Sequence, residues 1–246
     1  MRLTFLGTGA AMPAPDRVQS GLLLRAGDRR LLVDAGSGVL HRLAATEAGP
    51  EGVSTVLLTH CHLDHVADLL PLYKARWLAG ADGLTVVGPP GTEALLSDLF
   101  TAHEYLEGRM PLAVREITAG ATTVAGFAVT ATPTRHSMDG FAYRFEDALT
   151  VSGDTREFQG LIDFAERGSV LVHDCSFPDG VSEDAHTTPS KLAKVLADAD
   201  LERVYLTHLY PHTDGHHAEM VATTEAAFDG QVQVAEDGMS VGVLVS

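Results

Sequence analysis

The sequence predicts a mixed α and β fold in which helices cover sheets, and three observations carry that expectation. Short apolar strand patterns bounded by Gly-rich turns alternate with amphipathic helical stretches along the whole chain. Hydrophobic residues make up 45% of 246 residues, enough for a large buried core. No long linker, charge block, low-complexity tract or repeat interrupts the pattern, so one domain spanning residues 1–246 is expected.

In chain order, strands are expected at Arg2–Leu6, Gly21–Arg25, Arg30–Asp34 and Thr55–Leu58, each apolar and closed by turn residues. Helical spacing marks Val39–Thr46 and then His65–Leu78, where Leu69, Leu70, Leu72 and Trp77 are apolar and Pro71 predicts a kink. A third helix is expected at Thr92–His103. Strands follow at Thr85–Val87, Ala113–Ile117, Thr122–Thr132, Phe141–Phe145, Leu149–Ser152 and Val170–His173. Thr188 is placed to cap the next helix, Pro189 suits its first turn, and Leu192, Val195 and Leu196 supply its apolar face. Arg203–Thr207 reads as a strand, Ala218–Phe228 as a helix, and Gln231–Val234 and Val241–Val245 as closing strands.

Lys and Arg number 17 against 33 Asp and Glu, a formal net charge of −16. That charge opposes a broad grip on nucleic acid or on an anionic membrane. Cys61 and Cys175 are too few for a disulfide framework and suit a reducing cytosol. The start of the chain shows no secretory signal pattern, and no apolar stretch reaches membrane-spanning length. A cytoplasmic protein without membrane contact is therefore expected.

The densest chemical signal is Thr59-His60-Cys61-His62-Leu63-Asp64-His65, directly after an apolar strand and before an amphipathic helix. Its four potential ligands fall within six residues. In the extended part His60 and His62 share one side, and Asp64 and His65 open the helix, which supplies ligands for two metals. Three later strands end in further candidates: His136, Asp154 and His208.

This pattern resembles the metallo-β-lactamase superfamily, whose seven ligand positions are matched in order by His60, His62, Asp64, His65, His136, Asp154 and His208. The resemblance implies an α+β, four-layer αββα sandwich with the site at one edge. It also implies one zinc on His60, His62 and His136, a second on Asp64, His65 and His208, and Asp154 bridging them. Manganese or iron could occupy the same ligands. Asp34, after a strand, is read as the acceptor that orients a metal-bound imidazole.

Within that superfamily the chain looks like ribonuclease Z, a zinc phosphodiesterase. Phe5-Leu6-Gly7-Thr8-Gly9, Leu32-Val33-Asp34-Ala35-Gly36, Gly88-Pro89-Pro90-Gly91, Ser152-Gly153-Asp154-Thr155 and Leu206-Thr207-His208 carry the likeness. His173-Asp174-Cys175-Ser176-Phe177 and His186 stand where the resemblance puts a carboxylate and a proton-donating histidine. Asp174 would pair with His186 as general acid, or His186 would instead help to cap the following helix. Asp64 would accept the proton of the attacking water. The resemblance also implies a homodimer.

Two departures narrow the expectation. Seventeen residues separate His136 from Asp154, leaving no room for the family's tRNA-binding arm, and Leu209-Tyr210-Pro211 replaces Ser-Arg-Tyr after the final histidine. With the acidic charge, these point away from transfer RNA and toward a small anionic phosphodiester, cyclic phosphate or cyclic nucleotide. The alternatives are a thioester, lactone or lactam hydrolase on the same fold, or a ribonuclease Z-like RNA endonuclease. A non-catalytic metal-binding module would not need every ligand, and a redox di-iron centre would place a carboxylate at His62.

Overall fold

Strand periodicity of two explains why the sheets of this protein are apolar on both faces. In β1 (Arg2–Gly7), β2 (Gly21–Ala26) and β3 (Arg29–Val33), the residues Leu3, Phe5, Leu22, Leu24, Leu31 and Val33 point one way. Leu6, Leu23 and Leu32 point the other way into a second apolar cluster. The computed structural model describes residues 1–165, 169–181 and 184–245.

The first sheet continues from β3 through β4 (Thr55–Leu57), β5 (Leu84–Gly88) and β6 (Leu112–Glu116), all parallel. The second runs antiparallel through β7 (Gly120–Val124), β8 (Phe127–Pro133), β9 (Phe141–Phe145) and β10 (Leu149–Val151). It then turns parallel through β11 (Val170–Asp174), β12 (Arg203–Thr207) and β13 (Gln231–Val234). Finally β14 (Ser240–Gly242) returns to the first sheet and pairs antiparallel with β1. Among the described residues each sheet has seven strands.

The central core lies between the sheets, where Phe5, Phe127, Tyr143, Phe145 and Tyr205 interlock. Helices α1 (Val39–Ala44), α2 (Leu63–Val66), α3 (Leu69–Leu78) and α4 (Thr92–Ala102) cover the first sheet. Helices α5 (Gln159–Ala165), α6 (Pro189–Leu196) and α7 (His217–Glu225) cover the second. The order of layers is helix, sheet, sheet, helix: the expected αββα sandwich.

Three local expectations are corrected, and one helix was not foreseen. The helix expected from His65 to Leu78 is broken at Ala67–Asp68 rather than kinked at Pro71. Pro71 lacks an N–H and its ring would strike the carbonyl of residue 67 in a continuous helix, so the chain restarts and Pro71 sits in the first turn of α3. The strand expected at Thr122–Thr132 is the β7–β8 hairpin, turned at Ala125 and Gly126, both with positive φ. Thr188 stands at the N-cap of α6 but makes no capping bond, and Asp179 accepts from the Ser190 amide instead. The short helix α5 has too little apolar periodicity to announce itself.

Candidate metal centre

Parallel strands deliver their last residues to one edge of the sandwich, where open α/β sheets place ligands. β3 leads into Asp34, β4 into the segment from Thr59 to His65, β10 into Asp154 and β12 into His208, and β11 ends at Asp174. The β8–β9 connection adds His136.

Asp34 ties the first group together. Its carboxylate accepts the Thr59 amide at 2.7 Å, the Thr59 hydroxyl at 2.8 Å and His65 Nδ1 at 2.8 Å. The break after α2 helps, since the Ala35 amide donates to the His65 carbonyl and the Asp68 amide to the Ala35 carbonyl. At Gly153, where φ is +60°, an added Cβ would sit 2.9 Å from that of Thr59, so only glycine lets β10 pass this closely. His208 itself holds a φ of 59°, a strained conformation for a side chain of this size.

The hydrogen-bond partners fix the imidazole tautomers. A carboxylate or carbonyl can only accept, so Nδ1 of His65 donates to Asp34 and Nδ1 of His136 donates to the Ala185 carbonyl at 3.1 Å. Thr59 gives its proton to Asp34 and accepts from His60 Nδ1 at 3.1 Å. Ser176 likewise donates to Asp174 at 2.6 Å and accepts from His208 Nδ1 at 2.9 Å. Each of these four rings therefore turns its Nε2 inward.

Those nitrogens converge. His60 Nε2 and His136 Nε2 lie 3.0 and 3.1 Å from His62 Nδ1, and His65 Nε2 and His208 Nε2 each lie 3.2 Å from an Asp154 oxygen. His208 Nε2 is also 3.2 Å from Asp64. Two donor sets result, His60, His62, His136 and Asp154 in one, Asp64, His65, His208 and Asp154 in the other. Within each, the ligand atoms lie within 4.8 Å of one another. His65 Nε2 is buried with no hydrogen-bond partner. A cluster of imidazole nitrogens and carboxylate oxygens with an orphaned buried nitrogen fits cations.

Without a metal, the charges show the same demand. Burial and the neighbouring His65 hold His60 at about 2, neutral and free to ligate. Burial would lower His65, but Asp154 and Asp34 outweigh it and raise it well above its usual value. Burial would raise Asp154 and Asp64, yet the histidines overcome it, taking Asp154 well below the carboxylate range and Asp64 to about 2.

Beside the cluster, His186 Nδ1 donates to Asp174 Oδ2 at 2.7 Å, and Asp174 is wholly buried. The His186 ring stacks on His208 with centroids 5.2 Å apart and approaches His136 at 5.0 Å. Asp174 also accepts the Thr155 amide at 3.1 Å. The nine candidates read from the sequence thus stand in one cluster. The hydroxyls of Thr59 and Ser176 went unassigned, although their places beside His60 and Asp174 were visible.

The Beta-lactamase superfamily domain matches residues 29–209. The chain belongs to the metallo-β-lactamase superfamily. Ribonuclease Z of Mycobacterium marinum is 32% identical, with 96% of each chain covered. The alignment spans 269 positions against 246 residues here, so that relative carries residues with no counterpart in this chain. Among solved structures, the metallo-beta-lactamase fold protein YhfI from Bacillus subtilis superposes with a TM-score of 0.87 at 24% identity, covering 98% of both chains. Short-form human tRNase Z gives 0.79 at 22% identity, covering both chains fully. The β8–β9 loop, β9, the β9–β10 turn and β10 use up the interval between His136 and Asp154, which holds no projecting arm. No helix among the described residues is long and apolar enough to cross a membrane.

Proposed function

We propose that this chain is a metal-dependent hydrolase that holds two zinc ions and cleaves a small phosphodiester or cyclic phosphate. His60, His62 and His136 would hold one ion, Asp64, His65 and His208 the other, with Asp154 between them. Bound there, the ions supply Lewis acidity toward water and toward a phosphoryl oxygen. Asp64, ionised at neutral pH, would accept a hydrogen bond from the attacking water, orient it and take its proton. As imidazolium, His186 would give its Nε2 proton to the leaving oxygen while the P–O bond breaks. Asp174 holds that ring by Nδ1.

The observation that carries the phosphodiester reading is the buried Asp174–His186 pair stacked against His208. Alkoxide leaving groups need a proton donor, whereas a thiolate leaves without one. A second reading, cleavage of RNA, draws on the 32% identity to ribonuclease Z. The acidic charge and the short β8–β10 connection favour a smaller substrate.

Hydrolysis of bis(p-nitrophenyl) phosphate by the zinc-loaded protein tests this, with a thioester, a lactam and a precursor tRNA alongside. Diester turnover lost in His65→Ala, and turnover of 2′,3′-cyclic AMP, whose leaving group is an alkoxide, lost in His186→Ala, support the reading. An inert diester beside a cleaved thioester, lactam or tRNA overturns it.

A further inference from the structure

An apolar cavity lies behind the ligand-bearing segment, and the chemistry above does not use it. It encloses about 630 Å³ between the α2–α3 break and α4, with Leu63, Leu95, Leu99 and Tyr105 in its wall. Small-molecule sites span roughly 300–1,000 Å³, so the cavity suits a ligand of that kind. Leu63 is 74% exposed at its rim, although it stands between His62 and Asp64 in the chain.

Cavity and cluster share one stretch of backbone. Along the extended residues 60–62, side chains alternate, so His60 and His62 face the cluster while Cys61 lines the cavity. The Cys61 thiol lies 3.8 Å from the Thr92 hydroxyl at the start of α4. Lys74 is the one formally charged residue in the lining. Its ammonium stands 3.3 Å from the Tyr105 hydroxyl and 5.1 Å over that ring. With that ammonium held on the Tyr105 ring, the remaining lining suits an apolar group.

We infer that this cavity binds the apolar substituent of the substrate, an alkyl or aryl group esterified to the phosphate that reacts at the imidazole cluster. The inference rests on the phosphodiesterase reading for that reaction, but not for the binding itself. A group attached to a phosphate at the cluster would pass over Leu63 into the cavity. The protein would thereby prefer lipophilic phosphodiesters over small polar ones.

The test is a series of alkyl phosphates from methyl to octyl, binding to zinc-loaded protein as read by displacement of anilinonaphthalene sulfonate fluorescence. Their p-nitrophenyl esters give kcat/KM in parallel. Affinity and kcat/KM are expected to rise roughly fourfold per methylene until the cavity is filled. Ala67→Phe, which fills the cavity, and Leu99→Glu, which charges it, should each flatten both slopes. A flat affinity series in the unaltered protein overturns the inference. So does light scattering that shows a dimer binding neither dye nor alkyl phosphate, with both restored in a monomeric Leu63→Ser variant, since a second copy would then be the occupant. A rising affinity series with no p-nitrophenol released supports the cavity and removes the phosphodiesterase reading instead.

Discussion

The two sheets supply their halves of the site in different ways. From the first come His60, His62, Asp64 and His65 on one continuous segment after β4, braced by Asp34 after β3. From the second come His136, Asp154 and His208 on three separate strand ends, together with the Asp174–His186 pair. A continuous segment sets the spacing of its donors by local backbone geometry alone. Dispersed donors are only as well placed as the sheet that carries them. The first half is therefore a cradle, and the second joins that cradle to the Asp174–His186 pair through Ser176, whose hydroxyl touches both Asp174 and His208.

The sharpest way to separate these roles is His186→Ala. If the second half carries the proton transfer, kcat on a substrate with an alkoxide leaving group should fall by about 10²- to 10⁴-fold while zinc content is unchanged. A fall smaller than about tenfold would return His186 to a capping role. Next in size are Thr59→Val and Ser176→Ala, which remove the acceptors that hold the His60 and His208 tautomers. Each should weaken zinc binding by about 10- to 100-fold, measured by competition with a chelating dye. Ser176→Ala should also shift the alkaline limb of the pH–rate profile, where a general acid loses its proton, because it loosens Asp174 as well. Thr59→Val should leave that limb alone.

A smaller effect concerns the metal-free protein. Asp64 is held below its ordinary 3.8, at about 2, so it contributes stability above the unfolded value. That contribution is lost as pH falls from about 3.8 toward about 2. Asp64→Asn should flatten the fall of Tm across that window. His65 has the opposite sign: its raised value means that ions must displace a proton to bind. Calorimetry in buffers of different ionisation enthalpy should therefore show proton release on zinc uptake, reduced in His65→Gln.

The cradle was legible because its donors are adjacent in the chain and follow an unmistakable buried strand. His136, Asp154 and His208 were legible only by order and by resemblance, since three residues spread over three strand ends have no local signature. The layers followed from periodicity: a run such as Leu22-Leu23-Leu24 is buried on both faces, which a sheet between two apolar layers requires. What escaped were features decided by single backbone groups. Ala125 turns a hairpin at φ 49°, where alanine is an uncommon choice, so β7 and β8 read as one strand. Pro71 marked a disruption but not its place. The hydroxyls of Thr59 and Ser176 could not be assigned, because a tautomer-fixing contact exists only once the fold brings its partners together.

The claim that everything else depends on is that these inward nitrogens and carboxylates hold two ions joined at Asp154. Zinc content by inductively coupled plasma mass spectrometry, on the protein and on Asp154→Ala after equal loading and dialysis, tests it most directly. Two ions per chain in the protein and at most one in the variant is the expected result. One ion or none in the unaltered protein, or two retained in Asp154→Ala, would contradict it.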